Sequence, residues 1–116
     1  MSHKPGILFM PHGNLQYSQL PPERRGWVAE QSYEAIFRVV RELGVKVAFE
    51  ASGETLQIMA QQRPSSINLL KSVIADGLVE PVASPNTHLM LSNVAPELGL
   101  DTLINGRESW ERYVGV

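Results

Sequence analysis

Tyr33-Glu34-Ala35-Ile36-Phe37-Arg38-Val39-Val40-Arg41-Glu42-Leu43-Gly44-Val45-Lys46-Val47-Ala48-Phe49-Glu50 is the stretch that decides the fold. Tyr33, Ile36, Phe37, Val40 and Leu43 recur at helical spacing on one face, Arg38, Arg41 and Glu42 fall elsewhere, and Gly44 offers a C-terminal stop. Val45 to Glu50 restarts at once as a β-rich run, so helix gives way to strand across a short turn. Upstream, Ile7-Leu8-Phe9-Met10 is a continuous apolar run that breaks at Pro11, the pattern of a parallel strand buried on both faces. Strand, helix and strand in that order predict a right-handed parallel crossover. Residues 12–27, rich in Gly, Pro and polar side chains, predict a long loop with no helix before the Glu30 region.

Downstream the same alternation continues. Ser52-Gly53 ends the second strand, Glu54 to Gln62 predicts a short helix, and Pro64 interrupts it. Ser65 or Ser66 can then cap a run through Ile67, Leu70, Val73 and Ile74 to Gly77. Leu78 to Ala83 predicts a third strand, in which Pro81 removes a backbone donor and points to a bulge or an edge. Asp101 can cap a closing helix that turns Leu103, Trp110, Tyr113 and Val114 toward the sheet, ending at Gly115. The fold class is therefore α/β, three β-α units of parallel sheet without linker or repeat, and residues 1–116 form one α/β segment. So small a sheet leaves strand edges unpaired and apolar surface uncovered, so more chain or a partner subunit is expected.

Bulk properties exclude several classes. The 116 residues carry 10 basic and 12 acidic side chains, a formal net charge of −2, which gives no basic footprint for nucleic acid. Cysteine is absent, which removes disulfide scaffolds, thiolate metal sites and a cysteine nucleophile, and is compatible with a cytoplasmic location. The longest apolar runs fall far short of the ~20 residues of a membrane helix. No GxGxxG or GxxxxGK[ST] string is present, and no cofactor is implied.

In parallel β/α architectures ligands sit at the carboxyl ends of the strands. Strand one ends in His12, Gly13 and Asn14; strand two in Glu50, Ser52 and Glu54; strand three offers Glu80 or Ser84, then Asn86 and His88. Such hydrogen-bonding side chains beside small residues suit a polyhydroxylated substrate. Each also has a structural reading. His12 can satisfy a loop carbonyl, Glu50 and Glu80 can form inward ion pairs, and Asn86 can shape a turn. Trp27, Trp110 and Tyr113 read as packing residues, and Glu23, Arg24 and Arg25 as a solvated loop. For a metal, His12 and His88 supply two ligands, but Asp76 and Asp101 fall at helix boundaries and no third ligand is evident, so no metal site is expected.

At Pro11-His12-Gly13-Asn14, Ala48-Phe49-Glu50-Ala51-Ser52-Gly53 and Gly77-Leu78-Val79-Glu80 through Ser84-Pro85 to His88, the chain resembles the N-terminal part of glycoside hydrolase family 57. The resemblance implies an incomplete seven-stranded β/α barrel of the α-amylase and 4-α-glucanotransferase type, acting on α-glucans. It covers nearly the whole chain, although Gly13-Asn14 departs from the family's usual first segment and leaves the subfamily open. Carried over by position, His12, Glu80 and His88 are implied to contact substrate in the sugar pocket; Asn14 and Glu50 join them from their strand-end positions. The resemblance places the nucleophilic glutamate and the acid/base aspartate in later strands, so no catalytic residue is assigned here and the isolated chain is expected to be inactive. Glu50 and Glu80, on adjacent strands, could approach the separation of a retaining pair, but the resemblance gives neither that role. The expected partners are an oligosaccharide or α-glucan and either the missing C-terminal part of the barrel or a homo-oligomer partner. The alternatives are a stand-alone carbohydrate-binding or regulatory half-barrel, or a half-barrel that assembles with another chain.

Overall fold

The computed structural model describes residues 3–16 and 19–116. Its strands are β1 (His12–Gly13), β2 (Val47–Ala51) and β3 (Val79–Ala83), forming a parallel sheet in the order β1-β2-β3. The helices are α1 (Arg25–Val28), α2 (Ala35–Leu43), α3 (Gly53–Gln62), α4 (Pro64–Ala75) and α5 (Pro96–Tyr113). A π-helical turn over Ala29–Glu34 joins α1 to α2. The α/β class and the three β-α units are as the sequence predicts.

Alternation along β2 separates the two faces of the sheet. Val47, Phe49 and Ala51 turn toward the helices and join the core with Tyr33, Phe37, Val40, Leu56, Met59, Leu70, Val73 and Trp110. Phe49 is its centre, with edge-to-face contacts to Phe37 at 5.0 Å, Tyr33 at 5.6 Å and Trp110 at 6.4 Å between ring centroids. Burying such a side chain contributes about 1.5–3 kcal/mol. The Trp110 indole also donates to the Ala51 carbonyl at 3.2 Å, which ties α5 to the end of β2. Ala48 and Glu50 take the opposite face, and the parallel register brings His12 and Val82 beside Glu50, with Glu80 beside Ala48.

The helix face carries a buried carboxylate. Glu34 is 1 % exposed. Its Oε1 accepts from Arg63 Nε at 2.9 Å and from the Ser65 and Ser66 hydroxyls at 2.9 and 2.8 Å, and its Oε2 accepts from Arg38 at 2.8 Å. Burial alone would raise its pKa, but the bonds from Arg63, Ser66 and Ser65 and the charge of Arg63 outweigh it and hold the carboxyl below its ordinary range. Ser65 and Ser66 therefore bind Glu34 instead of capping α4, whose first turn begins at Pro64.

Several expectations are corrected. The helix after the first loop starts at Arg25, ahead of Glu30, following a 3-10 turn at Pro22–Arg24. Arg25 is accordingly helical, and its guanidinium donates to the Gln16 carbonyl at 3.2 Å. Trp27 is half exposed and lies under Arg24, with the guanidinium carbon 5.3 Å from the ring centroid. The closing helix starts at Pro96, so Asp101 lies inside it, and Leu103 is 40 % exposed. Residues 9–11 do run beside β2, since the Phe9 and Pro11 carbonyls accept from Ala48 and Glu50 N–H at 3.1 Å each. Yet Ile7 is 97 % and Leu8 76 % exposed, not buried on two faces, because this strand is an edge that nothing among the described residues covers. Pro81 does sit on an edge strand, as its missing N–H requires.

Candidate functional site

The site is built at the carboxyl ends of β1 and β2. Gly13 fits tightly there, since a Cβ would stand 3.0 Å from the Phe49 ring. The loop that follows is fastened by hydroxyls. Ser52 caps α3 by accepting from Thr55 N–H at 3.2 Å, and it also accepts from the Gln16 side-chain amide at 2.8 Å. The Thr55 hydroxyl lies 2.6 Å from Gln16 Oε1 and 3.3 Å from the Gly13 carbonyl, and it accepts from Leu15 N–H at 3.1 Å. Tyr33, in the π-helical turn, accepts from Asn14 N–H at 2.8 Å. An extra residue in a helical turn re-aims side chains, and here it carries the Tyr33 hydroxyl up to the loop.

The segment after β3 is clamped with equal care. Asn86 accepts from Glu54 N–H at 3.0 Å through its carbonyl, donates its own N–H to the Thr102 carbonyl at 2.8 Å, and accepts from Ser109 at 3.2 Å through its side chain. Gly53 and Gly106 make room for this passage: a Cβ on the first would collide with the Asn86 side chain and on the second with the Ser84 carbonyl. Asn86 is thus a structural residue, and what it positions is His88.

His88 meets the strand ends from that loop. Its ring lies 4.6 Å from that of His12 at an interplanar angle of 60°. His12 Nδ1 is hydrogen-bonded to Glu50 Oε2. Glu50 Oε1 is buried with no hydrogen-bond partner among the described residues, and so is Asn14 Oδ1. The His12 side chain is half exposed and that of Glu50 only 13 % exposed. Burial, and then the neighbouring His88, hold the His12 imidazole below its ordinary range.

Four of the five sequence-predicted residues, His12, Asn14, Glu50 and His88, therefore gather at one end of the sheet. Glu80 does not join them. It shares their face of the sheet but sits opposite Ala48, two residues before Val82, roughly 7 Å lower along the strand. Glu80 is exposed and lines a cleft of about 400 Å³ with Leu8, Lys46 and Pro81. Glu50 and Glu80 are accordingly diagonal neighbours. The sequence offered no third donor beside His12 and His88; in the fold a Glu50 carboxylate oxygen lies within 4.8 Å of their ligand atoms. Asn86 takes the structural reading that the sequence offered for it, whereas Tyr33, Thr55 and Gln16 were not singled out as supports of the site. Ser52, an N-cap residue type ahead of a helix, also carried a local signal.

Two curated proteins are similar in sequence to this chain. An α-amylase of Pyrococcus abyssi is 30% identical over 95 residues, 78% of this chain and 14% of the relative, and an α-amylase of Pyrococcus furiosus is 28% identical over 95 residues. The crystal structure of a 4-α-glucanotransferase from Thermococcus litoralis superposes with a TM-score of 0.73 at 24% identity, covering 93% of this chain and 17% of that one. The chain matches one part of a glycoside hydrolase family 57-type barrel. No family model matches it. The chain spans about one-seventh of the length of the curated relatives. Among the described residues, no helix is long and apolar enough to cross a membrane.

Proposed function

We propose that this chain supplies one wall of an α-glucan pocket in a glycosidase or transglycosidase barrel, corresponding to its N-terminal part. The observation that carries the reading is the convergence of His12, Glu50 and His88 at the carboxyl ends of parallel strands, in a chain similar to an α-amylase and a 4-α-glucanotransferase. Imidazole and carboxylate groups beside Asn14 offer the mixed donors and acceptors that sugar hydroxyls need. Glu80, one layer lower on the same face, extends the polar wall inward. A retaining mechanism needs two carboxyl groups about 5–5.5 Å apart, and Glu50 is the one carboxylate in the cluster, so the cleaving pair comes from another part of the barrel. The exposed Ile7 to Met10 edge supports a cover from further barrel strands, and a cysteine-free composition suits the cytoplasm.

Titration calorimetry with maltooligosaccharides tests the reading. A hydrogen bond to a charged group contributes about 1.5–3 kcal/mol, so Glu50→Gln should weaken binding by about tenfold or more. Unchanged affinity in both His12→Ala and Glu50→Gln would remove the pocket from this end of the sheet. Glucan cleavage by the isolated chain that disappears in Glu80→Gln would overturn the assignment of the acid pair to other strands. Native mass spectrometry separates a single chain from one assembled with a copy or partner.

A further inference from the structure

His12, Glu50 and His88 have a property that sugar recognition does not require. Each offers one ligand atom, and these atoms all lie within 4.8 Å of one another. It is the one such trio of histidine and acidic side chains among the described residues. A tetrahedral zinc ion, with bonds of about 2.0–2.1 Å, holds its donors about 3.3 Å apart, inside the 4.8 Å within which these atoms already lie. Two supports are fixed by the fold: His12 and Glu50 are register partners on adjacent strands, and His88 hangs from the Asn86 clamp. The two imidazoles meet at 60° instead of stacking in parallel, so their nitrogens can turn toward a common point. Glu50 Oε1 is buried without a hydrogen-bond partner among the described residues. Such an oxygen is destabilising while it stays unsatisfied, and a cation would relieve it.

We propose that His12, Glu50 and His88 bind a divalent transition-metal cation of the zinc class, with at least one coordination position left open. Two imidazoles and one carboxylate suit borderline cations, whereas calcium and magnesium prefer all-oxygen shells. Two histidines, one glutamate and an open position form a set that holds zinc in catalytic sites. Half exposure of His12 leaves the open position facing solvent, where water or another oxygen ligand can enter.

The test uses the metal alone, without any glucan, so its failure and that of the sugar-binding reading are separable. Metal-free protein is titrated with Zn²⁺ by calorimetry, and Co²⁺ substitution is followed by visible absorption. The expected result is one Zn²⁺ per chain and cobalt bands of the intense tetrahedral type. Loss of a supporting group around a metal typically costs about 10–100-fold in affinity, so removing a ligand in Glu50→Gln or His88→Ala should cost about a hundredfold or more. His3→Ala, outside the trio, should leave binding unchanged. Circular dichroism establishes that each variant is folded; if His88→Ala is not, the near-isosteric Glu50→Gln decides. Absence of stoichiometric Zn²⁺ uptake by the folded wild-type chain overturns the proposal. Uptake that survives Glu50→Gln, or that depends on His3, overturns it equally.

Discussion

Glu34→Gln isolates what a single buried charge contributes to this fold. The substitution keeps shape and leaves one carbonyl oxygen able to accept from Arg63, Ser65 and Ser66, while the new amide faces Arg38 as a second donor. Hydrogen bonds to a charged acceptor contribute about 1.5–3 kcal/mol and neutral ones about 0.5–1.5, so three weakened bonds lose about 3 kcal/mol in all. The Arg63 side chain is 34% and that of Arg38 65% exposed, so water recovers part of the loss, and the expected cost is about 2 kcal/mol. Urea denaturation at neutral pH should show a lower midpoint with an unchanged slope. The pH dependence gives a second handle. Because the folded pKa of Glu34 is depressed, its stabilisation is fully present above the unfolded-state value of about 4.3 and is lost as the pH falls through the folded value. The wild-type and Glu34→Gln stabilities should therefore converge in acid. A variant as stable as wild type at pH 7, or a gap that persists undiminished at low pH, would refute the argument that the charge stabilises this junction.

Two further outcomes test the supports of the site. Gly53→Ala should cost about 1–3 kcal/mol, read as a lowered thermal midpoint, because the added methyl meets the Asn86 side chain and the Ser109 hydroxyl. It should also disturb His88, so loss of glucan affinity without loss of stability would point to a different path of influence. Tyr33→Phe leaves the Asn14 N–H without its acceptor, for about 1 kcal/mol in stability and a several-fold weaker maltooligosaccharide affinity; unchanged values for both would mean that the first loop needs no anchor in the π-helical turn.

Much of the architecture was legible because it is written in local chemistry. Gly44 and Gly77 adopt positive φ of 64° and 73° where helices end, as glycine permits at little cost. The strand ends then named His12, Asn14, Glu50 and His88 as candidates. The π-helical turn left no comparable mark, since Ala29 to Glu34 has the composition of an ordinary helix and its geometry answers to the first loop and to Arg63. The first helix likewise began earlier than its polar residues suggested, because Pro22 initiates a turn that the following residues continue.

The sequence by itself determined the order of strands and helices, the glycine stops, and which side chains stand near strand ends, because turns, caps and periodicity act between residues a few positions apart. Only the tertiary structure decided that His12 lies beside Glu50 while Glu80 falls one layer lower. Parity along a strand is visible in the sequence, but the register, His12 with Glu50 and Glu80 with Ala48, is a pairing between segments more than thirty residues apart. It also decided that His88 completes the trio, because its placement depends on Asn86 being held by α3 and α5 at once, a constraint between segments far apart in the chain.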